Sequence, residues 1–93
     1  MAYCDVNDLE HFLGEATRRG LRRAVLAWRA EYGQHPATDG VRYERLNLLT
    51  LLAYDPSAGC IVRATLEGAD RALIKAALER AGLSVEERSR NTV

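Results

Sequence analysis

Apolar residues that recur every three or four positions predict a helix near the start of the chain. The stripe that would lie on one face of this helix consists of Leu9, Phe12, Leu13 and Ala16. This spacing is typical of a surface helix that packs on a core. Asn7 is the expected N-cap, Glu10 the carboxylate of a capping box, and Gly20 the residue that ends the helix. We therefore expect a helix over residues 8–19.

A second helix is predicted in the segment "ADRALIKAALERAG". Its expected buried stripe consists of Leu73, Ile74, Ala77 and Leu78. Asp70 is in place to cap the first turn, and Gly82 to close the other end. The charged residues between the apolar positions are expected on the solvent side.

Residues 21–32 fit two periodicities. A helix would align Leu21, Ala24, Val25, Trp28 and Tyr32. A strand would instead align Ala24, Leu26, Trp28, Ala30 and Tyr32. Local propensity favours the helix, but "GQHPATDG" is typical of a loop, and "VRYERLNLLTLLAY" after it suits an antiparallel partner strand. We interpret residues 21–32 as a strand.

The second half of the chain predicts a further hairpin and a last strand. The segment "YDPSAGC" is typical of a tight turn, and "CIVRATLEG" after it alternates apolar with polar residues. "LSVEERSR" has the alternation of a final strand, with residues 88–93 expected as a frayed tail. Whether "AYCDV" forms a short edge strand is left open by its composition.

These elements predict one α+β domain over residues 1–93. The expected architecture is a two-layer sandwich in which an antiparallel-dominated sheet of about four strands carries both helices on one face. This layout is ferredoxin-like in general outline, although no motif connects the chain to a family.

The segment "LNLLTLLAY" is apolar on both sides. Leu46, Leu48, Leu52 and Tyr54 fall on one side, and Leu49, Leu51 and Ala53 on the other. A half-solvated antiparallel strand should alternate apolar with polar residues, and two helices cover only one face of a sheet. We therefore expect Leu49, Leu51 and Ala53 on an uncovered face that forms an interface, with Trp28 or Tyr32 as aromatic anchors. The alternative is that the N-terminal segment or the 33–40 loop covers this face.

The charge composition argues against a function that depends on the overall charge of the protein. The chain has 13 basic and 13 acidic residues and no net charge, which argues against broad affinity for polyanions. Twelve of the basic residues are arginines. Four of them, Arg18, Arg19, Arg22 and Arg23, lie within six positions and form a candidate phosphate or nucleic-acid site. Arg18 and Arg19 also suit the negative end of the first helix, which explains half of this cluster without a ligand.

No pattern predicts a catalytic, cofactor or metal site. Cys4 and Cys60 are expected as free buried thiols, with a disulfide as the alternative, and two cysteines alone do not form a zinc site. His11 and His35 are separate and have no clustered carboxylates or thiols beside them, which argues against metal binding. His11 with Glu15 suggests a surface hydrogen bond. We see no membrane span or signal peptide and expect a cytoplasmic protein.

The pattern as a whole favours a small non-enzymatic interaction or assembly domain. We expect it to act as a homodimer or higher oligomer, with another protein as a further candidate partner, no cofactor and no membrane. The alternative is a nucleic-acid-binding regulator that uses the arginines at 18–23.

Overall fold

The structure is a computed structural model that describes residues 2–37 and 40–90; the side chains of 30–47 and of residue 90 lie outside this description. The elements in chain order are β1 (Ala2–Val6), α1 (Leu9–Arg18), β2 (Arg23–Ala37), β3 (Gly40–Asp55), β4 (Cys60–Glu67), α2 (Arg71–Arg80) and β5 (Ser84–Arg90). The fold is therefore α+β, as the sequence predicts.

The sheet has five strands in the order β1-β4-β3-β2-β5. The pairs β2/β3 and β3/β4 are antiparallel, whereas β1/β4 and β2/β5 are parallel. The prediction of about four strands dominated by antiparallel pairing is therefore wrong: the sheet is mixed. The physical reason lies in the two helical connections, since each helix returns the chain to a strand of the same direction.

Local capping determines where both helices begin. The side chain of Asp8 accepts a hydrogen bond from the backbone N–H of His11 at 2.8 Å, so the N-cap is Asp8 and not the predicted Asn7. Asp70 caps α2 as predicted, accepting from the N–H groups of Ala72 and Leu73. Gly20, with φ of 68°, follows α1, in a conformation that glycine adopts without strain.

Residues 23–37 form a strand, which confirms the choice of strand over helix. The predicted loop at 33–40 is wrong, because β2 continues to Ala37 and β3 begins at Gly40. Beyond Arg29 and Leu48, where pairing with β5 and β4 stops, β2 and β3 pair only with each other. We call this two-stranded extension, residues 30–37 and 40–47, the hairpin arm. Residues 38 and 39 lie outside the described residues.

The core lies between the two helices and one face of the sheet, which we call the helix face. It comprises Phe12, Ala16, Ala24, Leu26, Leu49, Leu51, Ala53, Val62, Ala64, Leu78 and Leu83. Both helices contribute to it, so both cover this face. Leu73, predicted on the buried stripe of α2, is instead 68% exposed, because the apolar stripe is wider than the surface that α2 contacts.

The prediction that Leu49, Leu51 and Ala53 lie on the uncovered face of the sheet is wrong. Leu49 and Leu51 are fully buried and Ala53 is 1% exposed, so all three lie in the core of a single chain. Strand pairing explains this result. Leu51 lies beside Ala64, and Ala53 beside Val62, which places β3 in register with the apolar side of β4.

The two chain ends also differ in part from the sequence-based expectations. β1 forms an edge strand beside β4 and therefore does not fold over the second face of the sheet. β5 pairs with β2 as far as Arg90, so residues 88–90 are part of the sheet and not of a frayed tail. Residues 91–93 lie outside the described part of the chain.

Candidate functional site

The second face of the sheet, which we call the open face, carries the residues that alternate with those of the core. Four of its five strands supply the clearest part of it: Ile61, Arg63 and Thr65 of β4; Leu48, Thr50, Leu52 and Tyr54 of β3; Arg23, Val25 and Ala27 of β2; Ser84, Glu86 and Arg88 of β5. Among the described residues, no helix packs on this face. The mixed sheet therefore has one covered and one uncovered side.

The centre of the open face is apolar. Val25, Leu48, Leu52 and Ile61 are partly exposed, and Tyr54 is 52% exposed. Two shallow depressions lie on this face. One, of about 430 Å³, includes Val25, Leu52, Tyr54 and Ile61 in its lining. The other, of about 350 Å³, includes Ala27, Leu48 and Thr50. A contiguous apolar patch of this kind is typical of an interaction surface.

Charged side chains flank the apolar centre. On the β1 side, Arg63 donates two hydrogen bonds to Asp5, at 2.5 and 3.1 Å, and its guanidinium lies 4.1 Å from the centre of the Tyr3 ring. The hydrogen bond from Arg63 lowers the pKa of Asp5. On the β5 side, Arg88 donates to Glu86 at 3.3 Å. Both flanks thus carry paired charges of both signs.

One row of residues crosses the whole sheet. It runs in the order Asp5, Arg63, Leu52, Val25, Glu86, each residue lying beside the next on the neighbouring strand. Its two apolar members occupy the centre, and its charged members lie on the outer strands and on β4. The row therefore places a basic side chain on one side of the apolar centre and an acidic one on the other.

The structure divides the predicted arginine cluster in two. Arg18 and Arg19 both pair with Glu15, at 2.6 and 2.9 Å, and these hydrogen bonds lower the pKa of Glu15. Arg19 also pairs with Asp55 at 2.9 Å. Arg22 and Arg23 are exposed and form no ion pair within the described residues. Within this cluster, Arg22 and Arg23 are therefore the two side chains without a counter-charge among the described residues.

Trp28, one of the two predicted aromatic anchors, does not lie on the open face. Trp28 packs against the core as a partly buried residue, and the guanidinium of Arg71 lies 5.3 Å from the centre of its ring. Its ring therefore belongs to the helix side of the sheet. The side chain of Tyr32 lies outside the described residues.

His11 contacts a carboxylate of its own helix end. His11 Nδ1 lies 2.7 Å from Asp8 Oδ1, and this contact raises the pKa of His11. Glu15, the predicted partner of His11, instead accepts from arginines. Among the described residues, no three His, Cys, Asp or Glu side chains are grouped to hold a metal ion. The side chain of His35 lies outside the description.

Leu52, Val25, Ile61, Arg63 and Glu86 were not among the predicted site residues. The tight turn at residues 56–59 would have identified them, because it fixes which residues of β3 lie beside which residues of β4. It pairs Asp55 with Cys60, and this register assigns Leu49, Leu51 and Ala53 to the apolar side of β4. The residues between them then belong to the open face.

No helix in the described part of the chain is long and apolar enough to cross a membrane. No protein-family model matches the chain, and no curated protein matches it significantly in sequence.

Proposed function

We propose that the protein is a small non-enzymatic assembly domain that forms a homodimer by packing the open faces of two copies against each other. The observation that carries this proposal is the apolar centre of the open face, since both helices cover the opposite side of the sheet. Packing two sheets face to face buries such side chains in a second core. The occupant proposed here is therefore a second copy of the same chain.

The dimensions of the open face support a dimer. Five strands about 4.8 Å apart place the outer strands about 19 Å from each other, and four rows along each central strand extend about 20 Å. Projecting side chains make the accessible area larger than this rectangle. The hairpin arm extends β2 and β3 further. The rectangle alone has an area of about 380 Å², so the described part of the open face fits a small interface at the low end of the range for specific complexes, below the roughly 800 Å² per partner of a standard one.

The charges flanking the centre support a particular two-fold arrangement. An axis parallel to the strands, between β3 and β2, places β4 of one copy over β5 of the other. Arg63 and Glu86 lie in the same row of the sheet. Each Arg63, already paired with Asp5 of its own chain, then lies opposite Glu86 of the second copy, which is paired with Arg88, and symmetry repeats this arrangement of opposite charges. Side chains of this length accommodate the roughly 30° rotation of aligned sheets.

The alternative function is a nucleic-acid-binding regulator. Exposed Arg22 and Arg23, which line a depression of about 490 Å³ together with Tyr54 and Ser57, support it. The neutral net charge and the pairing of Arg18 and Arg19 with Glu15 weigh against it, because polyanion binding depends on unpaired positive charge. We therefore favour the homodimer.

We propose the cytoplasm as the compartment of this protein. Cys4 and Cys60 are free thiols, which persist most readily in a reducing compartment.

A matched pair of leucine substitutions tests the dimer. Leu52→Glu places a charge in the apolar centre, whereas Leu73→Glu changes a leucine that is 68% exposed on α2. By light scattering we expect the unmodified protein and Leu73→Glu at twice the 10.3 kDa chain mass, and Leu52→Glu at the chain mass. Circular dichroism verifies that each variant is folded. A common mass for all three proteins would contradict the proposal.

A further inference from the structure

The two cysteines lie side by side, 56 positions apart in sequence. Cys4 Sγ and Cys60 Sγ are 3.1 Å apart, and both residues are free thiols. They belong to neighbouring parallel strands, where Cys4 lies beside Val62 and Cys60 beside Ala2. A disulfide requires the sulfur atoms to approach by roughly 1 Å more, to about 2.05 Å. Because the two cysteines are diagonal neighbours in the register of β1 and β4, the bond also requires the two strands to shift relative to each other.

A guanidinium group contacts both sulfur atoms. Arg19 Nη1 lies 3.1 Å from Cys60 Sγ, and Arg19 Nη2 lies 3.7 Å from Cys4 Sγ. Glu15 and Asp55 hold Arg19 in this position through hydrogen bonds of 2.9 Å each. A fixed positive charge beside a thiol stabilises the thiolate, which is the reactive form of cysteine.

The two thiols differ in their surroundings. Cys60 is 4% exposed, whereas Cys4, on the edge strand, is partly exposed. The hydrogen bond with Cys4 and burial raise the pKa of Cys60, and Arg19 only partly opposes them. Cys60 therefore keeps its proton near neutral pH, and a dissolved oxidant reaches Cys4 first.

We propose that Cys4 and Cys60 form a redox-active pair that hydrogen peroxide converts to an intrachain disulfide. The Cys4 thiolate attacks one peroxide oxygen; the O–O bond breaks, hydroxide leaves, and Cys4 becomes a sulfenic acid. The Cys60 thiol then attacks the Cys4 sulfur. The S–S bond forms as the S–O bond breaks, and the departing hydroxide takes the Cys60 proton as water. The two thiols together lose two electrons, which reduce the peroxide to water.

This site is independent of the proposed dimer. The cysteines contact Arg19 of the α1 end, on the helix face, and not the apolar centre of the open face. A disulfide between them would covalently join the edge strand β1 to β4. Such a link constrains the unfolded chain more strongly than the folded one and raises thermal stability.

The test treats the folded protein with about one equivalent of hydrogen peroxide and follows its intact mass and its free thiols. We expect the single chain to lose the mass of two hydrogens and both thiols, and a dithiol reductant to restore them. The melting temperature should rise on oxidation. Persistence of both thiols, an interchain product, or a sulfinic acid as the main product would overturn the proposal.

Two serine variants then assign the roles of the two cysteines. Cys60→Ser should accumulate a sulfenic acid on Cys4, which dimedone traps as an adduct. Cys4→Ser should keep its thiol much longer under the same conditions. The reverse pattern would overturn the assignment of Cys4 as the attacked residue. The intact-mass measurement uses the unmodified protein, so it remains decisive if either variant fails to fold.

Discussion

Arg19 Nη1 donates a hydrogen bond to Asp55 Oδ2 at 2.9 Å, and both side chains are largely withdrawn from solvent, at 18% and 6% exposure. Asp55 ends β3, and Arg19 follows α1 directly. This ion pair therefore attaches the end of the helix to the end of a central strand. Asp55 Oδ1 also accepts the N–H groups of Ser57 and Ala58, which connects the same carboxylate to the turn before β4.

Replacing Asp55 by Asn should destabilise the protein markedly. The amide can still accept the turn N–H groups, but it removes the buried counter-charge of Arg19 and leaves the guanidinium with only the more exposed Glu15. We expect the melting temperature to fall by roughly 10 °C, since breaking a buried pair is costly and the domain is small. Asp5→Asn, which removes the exposed partner of Arg63, should shift it by roughly 2 °C or less. Similar shifts in the two variants would contradict this role of Asp55.

The same pair should make stability depend on acid. The hydrogen bond from Arg19 lowers the pKa of Asp55 below its ordinary value of 3.8. The unfolded chain therefore binds this proton more readily than the folded one. The contribution of Asp55 is present above the ordinary value and is lost as the pH falls through the folded value. Urea unfolding between about pH 6 and about pH 2 should show a steeper loss for the unmodified protein than for Asp55→Asn. Parallel curves would argue against the ion pair.

Adjacent leucines on β3 test which face of the sheet is the core. Leu51 is fully buried, so Leu51→Ala should cost about 2 to 5 kcal/mol of unfolding free energy. Leu52 is partly exposed on the open face, so Leu52→Ala should cost about 1 kcal/mol or less in dilute protein. Urea unfolding at low protein concentration measures both. A larger cost for Leu52→Ala would reverse our assignment of the two faces.

Local patterns predict the elements of this protein well. Apolar spacing identifies both helices, and Asp70 and Gly82 bound the second one, because a helix is encoded by neighbouring residues. The strand at 21–32 follows from its downstream partner, although local propensity favours a helix. The N-cap is Asp8 and not the predicted Asn7. Both residue types accept the same hydrogen bond from the first turn, so the sequence alone does not distinguish them.

Distant pairings limit the rest of the prediction. β3 is apolar on both sides, so its own sequence does not indicate which side meets the helices; the pairing of Leu51 with Ala64 does. The parallel pairing of β1 with β4, one of the two that make the sheet mixed, joins segments that no local pattern relates. The contact of Cys4 with Cys60 depends on that pairing, and the sequence therefore left open whether they meet.

Charge exchange tests the orientation of the proposed dimer. Arg63→Glu places an acidic side chain opposite Glu86 of the second copy, and we expect the dissociation constant of the dimer to rise about tenfold or more. Glu86→Arg should weaken the dimer similarly, and the double variant should recover most of the lost affinity. Sedimentation at several concentrations measures each dissociation constant. Additive weakening in the double variant would rule out the two-fold arrangement with Arg63 opposite Glu86.

A polyanion column tests the alternative function. Arg22 and Arg23 alone should contribute a slope of about −2 in the logarithm of affinity against the logarithm of salt. We expect no retention at about physiological salt, and no change on Arg22→Glu with Arg23→Glu under those conditions. Strong retention that this double variant abolishes would favour the nucleic-acid-binding regulator over the assembly domain.

The mass of the unmodified protein in solution tests the central claim most directly. Sedimentation velocity over about 1 to 100 μM, a range that covers dissociation free energies of roughly 5 to 8 kcal/mol, should show a species of twice 10.3 kDa that dominates at the upper end. A species of the chain mass alone throughout this range would contradict the account, because the apolar open face would then be stable in water by itself.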